Sequence, residues 1–526
     1  MAEEGMARST SVVGGFTLLS RILGFVRDVV IARIFGAGIA TDAFFVAFKI
    51  PNFMRRLFAE GAFNQAFIPV LAEYRNDREH AEVRELVGRT AGTLGLFLIV
   101  LTALGVIGAP VVISVFAPGF IGDAERFDLA VEMLRLTFPY LLFIALTALA
   151  GGVLNTWGRF AVPAFTPVLL NLSLIGAAIL AAPHFDEPIR ALAWGVFVAG
   201  AAQLAFQLPF LARIGLLPVP RWGAAHAGVR KVGKLMVPAL FGSSVAQINL
   251  LIDTLIASLL VAGSVSWLYY ADRLVEFPLG VFGIALATVI LPGLSARHAE
   301  SDPAGFSAMI DRALRWVLLL SAPATVGLLL LAQPILTTLF QYGAFTAADT
   351  AMAGLALMAY SVGLTGFILV KVLAPGYFAR QDTKTPVKIA IVAMVANMVL
   401  NGLFVVPWYL SGLPGAHAGL AAATAIAAFI NGGLLLRGLL RDGVYQPLAG
   451  WARLGGRVAL ALAVMAVLLL WLTPAMDDWH GWDVWTRVGV LFGLIGVAVV
   501  GYFGTLLVMG ERLGWLVRRA GSTGHP

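Results

Sequence analysis

The chain has 526 residues, of which 60% are hydrophobic and only 12% are charged, and its formal net charge is +7. A mean hydropathy of +0.89 lies far above that of soluble globular proteins and predicts an all-α polytopic membrane protein. The absence of cysteine excludes disulfides, thiolate metal sites and cysteine nucleophiles, and the basic residues follow a membrane topology rather than a nucleic-acid-binding patch.

Apolar segments of about 20 residues or more predict fourteen membrane-crossing helices, called spans 1 to 14 here. In chain order they lie near residues 11–36, 40–72, 88–116, 128–156, 162–182, 189–212, 235–261, 265–295, 312–340, 349–378, 386–409, 416–437, 454–473 and 486–510. FIPVLAEY at the end of span 2 resembles ILPGLSAR at the end of span 8, which indicates an internal repeat. We therefore predict two six-helix lobes, residues 1–220 and 221–445, followed by a C-terminal helix pair in residues 446–526.

The distribution of positive charge predicts the orientation of these spans. Of the 36 lysines and arginines, 24 fall at the termini and in the even-numbered loops, and three fall in the odd-numbered loops (Arg126, Arg190 and Arg487). Because positive residues accumulate on the cytoplasmic side, both termini are predicted to be cytoplasmic.

The other nine basic residues lie inside the predicted spans, and six of them lie in spans 1 and 2. A helical periodicity of 100° per residue places Arg21, Arg27 and Asp28 on one face of span 1, and most of the charges of span 2 on one face of that span. Either Arg55 or Arg56 can point inward, because Pro51 can shift the helical phase. Span 8 adds an arginine flanked by acids. The charges concerned are Arg21, Arg27 and Asp28, then Asp42, Lys49, Arg56 and Glu60, then Asp272, Arg273 and Glu276.

Charges at membrane depth indicate a water-filled cavity, because a charge that faces lipid costs at least a few kcal/mol. We interpret Arg33 and Arg135 as snorkelling or structurally paired side chains. On the helix faces concerned, the other arginines outnumber the side chains that could obviously pair with them. This excess favours an anionic ligand. Guanidinium groups bind phosphate oxygens in bidentate fashion, so a cluster of three or four would suit a diphosphate.

Two further sets of polar residues lie in the predicted C-terminal lobe. Oxygen atoms of Asp253, Asn397, Asn401 and Thr424 could bind a small cation such as Na⁺, although ordinary interhelical hydrogen bonding explains them equally well. Lys371 is isolated within span 10, and structural pairing and a role in the transport pathway fit it equally. We find no catalytic constellation and no complete ATP-binding motif, so we expect a transporter without catalytic residues that is driven by ion or voltage gradients.

Several stretches of the chain resemble the MurJ/MviN family of lipid II flippases, in the MOP exporter superfamily. They are SRILGFVRD (20–28), GSVSWLYYADRLVEFP (263–278) and KVLAPGYFARQDTKTP (371–386). The resemblance implies a bacterial inner-membrane protein with fourteen helices in two lobes plus a C-terminal pair. It also implies a cavity lined by spans 1, 2, 7 and 8 that opens alternately to each side.

The ligand implied by the resemblance is lipid II, undecaprenyl diphosphate carrying a disaccharide pentapeptide, with spans 13 and 14 as a groove for its tail. Membrane lipids and the cell-wall synthesis machinery are the implied partners. Functional positions of the family correspond to Arg21, Arg27, Asp28, Asp42, Lys49, Arg55, Glu60, Arg273, Glu276 and Lys371, so the resemblance selects Arg55 over Arg56. A sodium site of some members corresponds to Asp253, Asn397, Asn401 and Thr424, but those members carry a carboxylate where this chain has Asn401.

Three alternatives remain open at this stage. A cation-coupled drug antiporter of the same superfamily would favour an acidic or aromatic cavity over an arginine-lined one. A flippase for polysaccharide precursors differs only in the family-specific stretches quoted above. A membrane scaffold without transport activity would leave the charges of spans 1, 2 and 8 unexplained.

Overall fold

A computed structural model of the protein describes residues 2–56, 63–412 and 414–511, and the regular structure within these residues is entirely helical. The first ten helices are α1 (Ala2–Phe35), α2 (Ile39–Arg55), α3 (Phe63–Asp77), α4 (His80–Ile107), α5 (Ala109–Phe116), α6 (Ala124–Thr137), α7 (Tyr140–Thr156), α8 (Ala161–Gly176), α9 (Arg190–Arg213) and α10 (Ala227–Ser258). The next ten are α11 (Ser264–Pro278), α12 (Ala285–Ala299), α13 (Pro303–Leu330), α14 (Ala332–Leu339), α15 (Ala347–Phe378), α16 (Lys384–Leu410), α17 (His417–Arg441), α18 (Trp451–Leu472), α19 (Met476–Gly481) and α20 (Val484–Val508).

The helices agree with the predicted spans in position, although several spans are divided. Within the described ranges, ten helical segments are long and apolar enough to cross a membrane, and they correspond to spans 3–6 and 9–14. The protein is therefore an all-helical, multi-pass membrane protein. Spans 1, 2, 7 and 8 are helical where they are described but do not belong to this set, so the count of fourteen stays a prediction. A π-helical turn, Leu279–Ile284, joins α11 to α12 within span 8.

The chain divides into two compact units, and the first comprises Met1–Ser266 with Tyr342–Phe345. In this unit α1 packs on α8, α8 and α7 pack on α9, α2 packs on α6, and α10 packs on α3. Two glycines of α4, Gly88 and Gly92, let the segment before α10 lie directly on the helix, where the Arg221 amide donates to the Gly88 carbonyl at 3.1 Å. A Cβ at Gly92 would lie 2.3 Å from the Arg221 carbonyl oxygen, so this contact requires glycine.

The second unit comprises Trp267–Gln341 and Thr346–Pro526. Here α15 packs on α17 through Gly363 and Gly366, which face Ala425 and Ala428. Small residues allow such close approach where no hydrophobic effect drives helices together in lipid. The two units are separated after Ser266 because residues on each side contact mainly their own unit. This boundary does not test the predicted lobe boundaries at 220 and 445, which stay predictions.

The C-terminal pair, α18 and α20, is anchored to α13 within the second unit. An apolar cluster built on Leu319, Val458, Leu491 and Tyr502 joins the three helices. In the first turn of α20, the buried Arg487 guanidinium donates to backbone carbonyls of Thr337, Gln341 and His480. Because Thr337 lies in the last turn of α14, this cation meets the negative end of a helix dipole.

A buried carboxylate, Asp311 of α13, organises the segment that leads into α18. Its Oδ1 accepts hydrogen bonds from the Tyr445 hydroxyl (2.9 Å), the Trp451 indole nitrogen (2.7 Å) and the Leu448 amide (3.1 Å). Its Oδ2 accepts from Arg315 at 2.6 Å. Burial, and then the bond to Asp311, raise the pKa of the Tyr445 hydroxyl, so this group stays a donor beyond the pH at which a tyrosine ordinarily ionises. We call these five residues the Asp311 junction.

We expect Asp311→Ala to lower the free energy of unfolding by about 3 kcal/mol, because three donors and one arginine lose their acceptor. Residues 444–451 should also exchange their amide hydrogens faster. Unfolding in mixed micelles and hydrogen-exchange mass spectrometry measure the two effects. Asp477→Ala removes an exposed acid of the same unit and should change stability by less than about 0.5 kcal/mol. Unchanged exchange in the Asp311 variant would contradict the junction.

Candidate functional site

Arg27, one of the two arginines of α1 predicted to bind substrate, is buried and held in place by two partners. Arg27 is 6% exposed and Asp28 is 2% exposed. The Nε and Nη2 atoms of Arg27 donate to Asp28 Oδ1 at 2.9 and 2.7 Å, and Nη1 donates to Asn171 Oδ1 of α8 at 3.0 Å. All three guanidinium nitrogens therefore donate to an oxygen. Nε and Nη2 share Asp28 Oδ1, and Nη1 has Asn171 Oδ1.

Asn171 also fixes α1 itself, because its amide nitrogen donates to the Ser20 carbonyl at 2.9 Å. Gly24 faces Asn171, but a Cβ at that position would lie 3.6 Å from the Asn171 amide nitrogen, an ordinary contact, so the approach does not require glycine. Part of the polar face predicted for span 1 thus packs on α8. Thr17 and Arg21 of the same stripe are exposed.

The charges of α2 are half-buried towards its C-terminal end. Arg55 donates from Nε to Asn52 Oδ1 at 2.8 Å, one turn back along the helix. Lys49 and Arg56 are also half-buried. Glu60 lies outside the described residues, so its predicted role stays a prediction.

In the second unit, Arg273 of α11 is held by its own helix. Nη1 donates to Glu276 Oε2 at 2.7 Å, Nη2 donates to the Tyr269 hydroxyl at 3.3 Å, and the guanidinium lies 5.1 Å from the Tyr269 ring centroid. The pair is about two-fifths exposed, at 35% for Arg273 and 44% for Glu276. The i, i+3 spacing that predicted this pair is confirmed. Lys371 of α15 is exposed.

Asp42, at the start of α2, is fully buried and accepts four hydrogen bonds. Oδ1 accepts from the amide and hydroxyl of Ser266 at 2.9 and 2.6 Å. Oδ2 accepts from Arg126 Nη2 at 2.7 Å and from the Gly263 amide at 2.8 Å. Arg126 in turn lies 3.9 Å from the centroid of the Phe120 ring. We call this set the Asp42 latch; it ties α2 to α6 and to the first turn of α11.

Three of the four residues proposed for a cation site lie together in the second unit. Asn401 donates to Asn397 Oδ1 at 3.0 Å, and Asn397 donates to Thr424 Oγ1 at 3.2 Å. Both asparagines are fully buried. The Asn397–Thr424 bond joins α16 to α17, whereas the Asn401–Asn397 bond lies within α16, and both form whether or not an ion binds. Asp253 is buried in α10 of the first unit. In the described part of the chain, no group of three or more His, Cys, Asp or Glu side chains could hold a metal ion.

The family profile described as "Lipid II flippase MurJ" matches residues 31–487. The chain belongs to this family. The probable lipid II flippase MurJ of Vibrio cholerae is 49% identical over 515 residues, which cover 97% of this chain and 97% of that protein. The lipid II flippase MurJ of Burkholderia cenocepacia is 45% identical over 519 residues, which cover 98% of this chain and 99% of that protein.

Solved structures agree with this membership. A lipid II flippase MurJ in an inward closed conformation has a TM-score of 0.79 at 27% identity and covers 96% of this chain and 99% of its own. An inward-facing multidrug transporter of the MATE family, in the MOP superfamily, has a TM-score of 0.66 at 13% identity and covers 82% of this chain and 98% of its own. The second likeness shows a shared fold alone.

Two residues that matter in this family member were missed by the sequence analysis. Arg126 was counted as one of three basic residues in the odd-numbered loops, yet it is buried against Asp42, 84 positions away. Asn171 sits in an apolar span and carries no charge, so nothing in the sequence alone connected it with Arg27, 144 positions earlier. A polar residue buried in an apolar span is the signal that could have drawn attention to it.

A double-mutant cycle on Asp42→Ala and Arg126→Ala should give a coupling energy of about 2–3 kcal/mol, because each single change leaves a buried ion without its counter-charge. Unfolding in mixed micelles gives the four free energies required. The Glu132–Arg190 pair of the same unit is the matched control, since it is separated by 3.1 Å but is 44% and 35% exposed. It should couple by less than about 1 kcal/mol. Equal coupling in the two pairs would contradict the latch.

Proposed function

We propose that this protein moves lipid II from the cytoplasmic to the periplasmic leaflet of the inner membrane for peptidoglycan synthesis. The observation that carries the proposal is near full-length identity of 49% and 45% to lipid II flippases. The charged residues of α1, α2 and α11 support it chemically. A diphosphate bearing a disaccharide pentapeptide cannot cross about 30 Å of hydrocarbon without a polar route, because desolvation of its charges is prohibitive.

In this proposal Arg27 exchanges partners when substrate arrives. Its three guanidinium nitrogens are occupied by Asp28 and Asn171. Phosphate oxygens offer the same planar pair of acceptors as a carboxylate and carry more charge. Asp28 thus compensates the buried cation while no diphosphate is bound, and Asn171 keeps the guanidinium in position as Asp28 is displaced.

Arg273 follows the same principle on α11. Glu276 and Tyr269 lie within about one turn of Arg273 and accept hydrogen bonds from its guanidinium, so residues of its own helix help to orient it. Its partial exposure leaves a face available to an anionic headgroup. We propose that Arg21, Lys49, Arg55, Glu60 and Lys371 extend this polar route.

We further propose that the Asp42 latch is a closure of the periplasmic end during alternating access. The predicted topology places the segments before α2 and α6 and the segment between α10 and α11 on the periplasmic side. These segments meet at Asp42 through Arg126, Gly263 and Ser266. Moving the segment between α10 and α11 away from α2 would remove three of the four donors, those of Gly263 and Ser266. Arg126 of α6, which packs on α2, would remain to compensate the carboxylate.

The C-terminal pair is proposed as the groove for the undecaprenyl tail, with cell-wall synthesis enzymes as partners that receive the product. Its surface includes the exposed side chains of Val467, Leu470, Phe492, Val500 and Val508. An isoprenoid chain gains by contact with such residues while the headgroup takes the polar route.

Membrane potential is the proposed energy source. Lipid II carries negative charge outward, which a cytoplasm-negative potential favours by about 2.3 kcal/mol per charge per 100 mV. A sodium ion is the second candidate. Asn397, Asn401 and Thr424 offer oxygen ligands in the second unit, and Asp253 of the first unit is the single acid of that set.

The proposal predicts that the reconstituted protein flips lipid II in proteoliposomes, measured by loss of protection from a membrane-impermeant reagent. Transport of an undecaprenyl-linked polysaccharide unit tests the alternative that the protein is a polysaccharide-precursor flippase. Transport of a cationic dye tests the alternative that it is a drug antiporter. Transport of either compound in preference to lipid II would replace the proposed function.

Arg27→Ala and Arg273→Ala are each expected to abolish lipid II translocation with normal membrane insertion. Lysine at either position should restore little, because a point charge replaces a bidentate fork. Asn171→Leu should have a smaller effect, since the Arg27 charge remains. Arg33→Ala is the matched control, because Arg33 is an exposed arginine on the same helix as Arg27. Full activity of the alanine variants would refute the exchange of partners at these arginines.

Collapse of the membrane potential is expected to inhibit flipping even with the sodium gradient intact. Asp253→Asn should have the smaller effect, because the potential acts on the lipid charge directly. The measurement is flipping under a sodium gradient with the potential clamped to zero, in the natural protein and in Asp253→Asn. Sodium-driven flipping at zero potential that is lost in the variant would establish sodium coupling instead.

A further inference from the structure

A cavity of about 390 Å³ lies in the first unit where α8 begins and α9 ends, away from the residues assigned to lipid II. Its wall is formed by residues 158–162, by Phe210, Arg213 and Ile214, and by Val12 of α1. α8 and α9 are consecutive and antiparallel, so the start of one and the end of the other share one end of the unit. We call this cavity the α8–α9 pocket.

The charge of the α8–α9 pocket is positive. Among the described residues that line it, Arg159 and Arg213 are basic and none is acidic. The Arg213 guanidinium lies 5.3 Å from the centroid of the Phe210 ring, which is also part of the wall. Arg159 follows Gly158, whose φ of 72° turns the chain sharply between α7 and α8. Both arginine side chains are exposed, so their charges are available to a ligand.

A continuous row of aromatic rings leads from the pocket between the three helices. Phe210 contacts Phe206 at 5.5 Å, Phe206 contacts Phe165 at 5.4 Å, and Phe165 contacts Phe16 at 5.3 Å between ring centroids. These rings are half-buried and belong to α9, α8 and α1. Phe206, Phe165 and Phe16 each lie about one helical turn from a residue of the pocket wall, so the row crosses the three helices beside the pocket. The arginines and the rings together make an amphipathic site.

We propose that the α8–α9 pocket binds an anionic glycerophospholipid, with its phosphate at Arg159 and Arg213 and an acyl chain along the aromatic row. Two guanidiniums without an acidic neighbour in the pocket match a phosphodiester, and the rings match hydrocarbon. The predicted topology places Arg159 and Arg213 on the cytoplasmic side, where headgroups of the inner leaflet lie. A free phosphate would satisfy the arginines alone and would leave the aromatic row without a ligand.

The site is separate from the proposed substrate route, because none of its lining residues belongs to the lipid II set. It also borders α1, the helix that carries Arg27, and lies against the same α1–α8 interface that holds Asn171. A bound phospholipid would therefore hold together the helices that position Arg27. The binding test below contains no lipid II, so its result is independent of the proposed function.

The experiment titrates the full-length, detergent-solubilised protein with dioleoyl phosphatidylglycerol or dioleoyl phosphatidylcholine, and native mass spectrometry counts bound lipids. We expect tighter binding of phosphatidylglycerol. The double variant Arg159→Gln/Arg213→Gln should lose roughly 25-fold in affinity for phosphatidylglycerol, at the usual contribution of each basic residue near an anionic lipid. Loss of selectivity between the two lipids should accompany it.

The matched control is Arg84→Gln/Arg230→Gln, which removes two exposed arginines of the same unit and the same predicted side, outside the pocket. It should bind phosphatidylglycerol like the natural protein. Equal losses in the two double variants would show a diffuse surface charge and overturn the proposal. So would the absence of phosphatidylglycerol selectivity in the natural protein, which needs no variant to fold. Displacement of the lipid by millimolar glycerol phosphate would assign the pocket to a free anion and overturn the lipid site.

Discussion

A charged side chain buried in a membrane protein must have its charge compensated within the protein, and this constraint governs the arrangement of the functional residues. Neither hydrocarbon nor a neighbouring apolar helix can replace the water that an ion loses. The structure meets the requirement in two ways. The buried Arg27 and the half-exposed Arg273 take a carboxylate from their own helix. Asp42 and Asp311 instead collect donors from segments that are distant in sequence.

A local ion pair and a carboxylate with several distant donors differ in how readily they can rearrange. A local pair can exchange its carboxylate for another anion without backbone movement, because both side chains lie on the same helix. A carboxylate with four donors from several segments cannot leave without depriving all four donors of their acceptor. Local pairs therefore suit a site where an anionic ligand replaces the carboxylate. Carboxylates that accept from several distant segments suit positions where those segments must be held together, as at the Asp42 latch and the Asp311 junction.

This distinction also explains how much the sequence could predict. Hydropathy and charge distribution predicted an all-helical membrane protein and the positions of its helices, because both follow from composition over windows of about 20 residues. The Arg273–Glu276 pair was predictable because helical spacing fixes which side chains are neighbours. Asp42 was grouped with the substrate residues by resemblance. Its partners Arg126 and Ser266 could not be found, since 84 and 224 positions separate them and only the packed fold brings them together.

Asn171 connects the local ion pair of Arg27 with the packing of α1 on α8. It is a neutral residue, so it compensates no charge, yet it donates to the backbone of α1 and accepts from the arginine that α1 carries. An amide can do both because it offers a donor and an acceptor on one planar group. The position of the Arg27 guanidinium is therefore set by α8 as well as by Asp28. A ligand that displaces Asp28 still meets an oriented cation, and any change in the packing of α1 on α8 alters that cation. The apolar interface between these helices thus helps to determine the geometry of an ionic site.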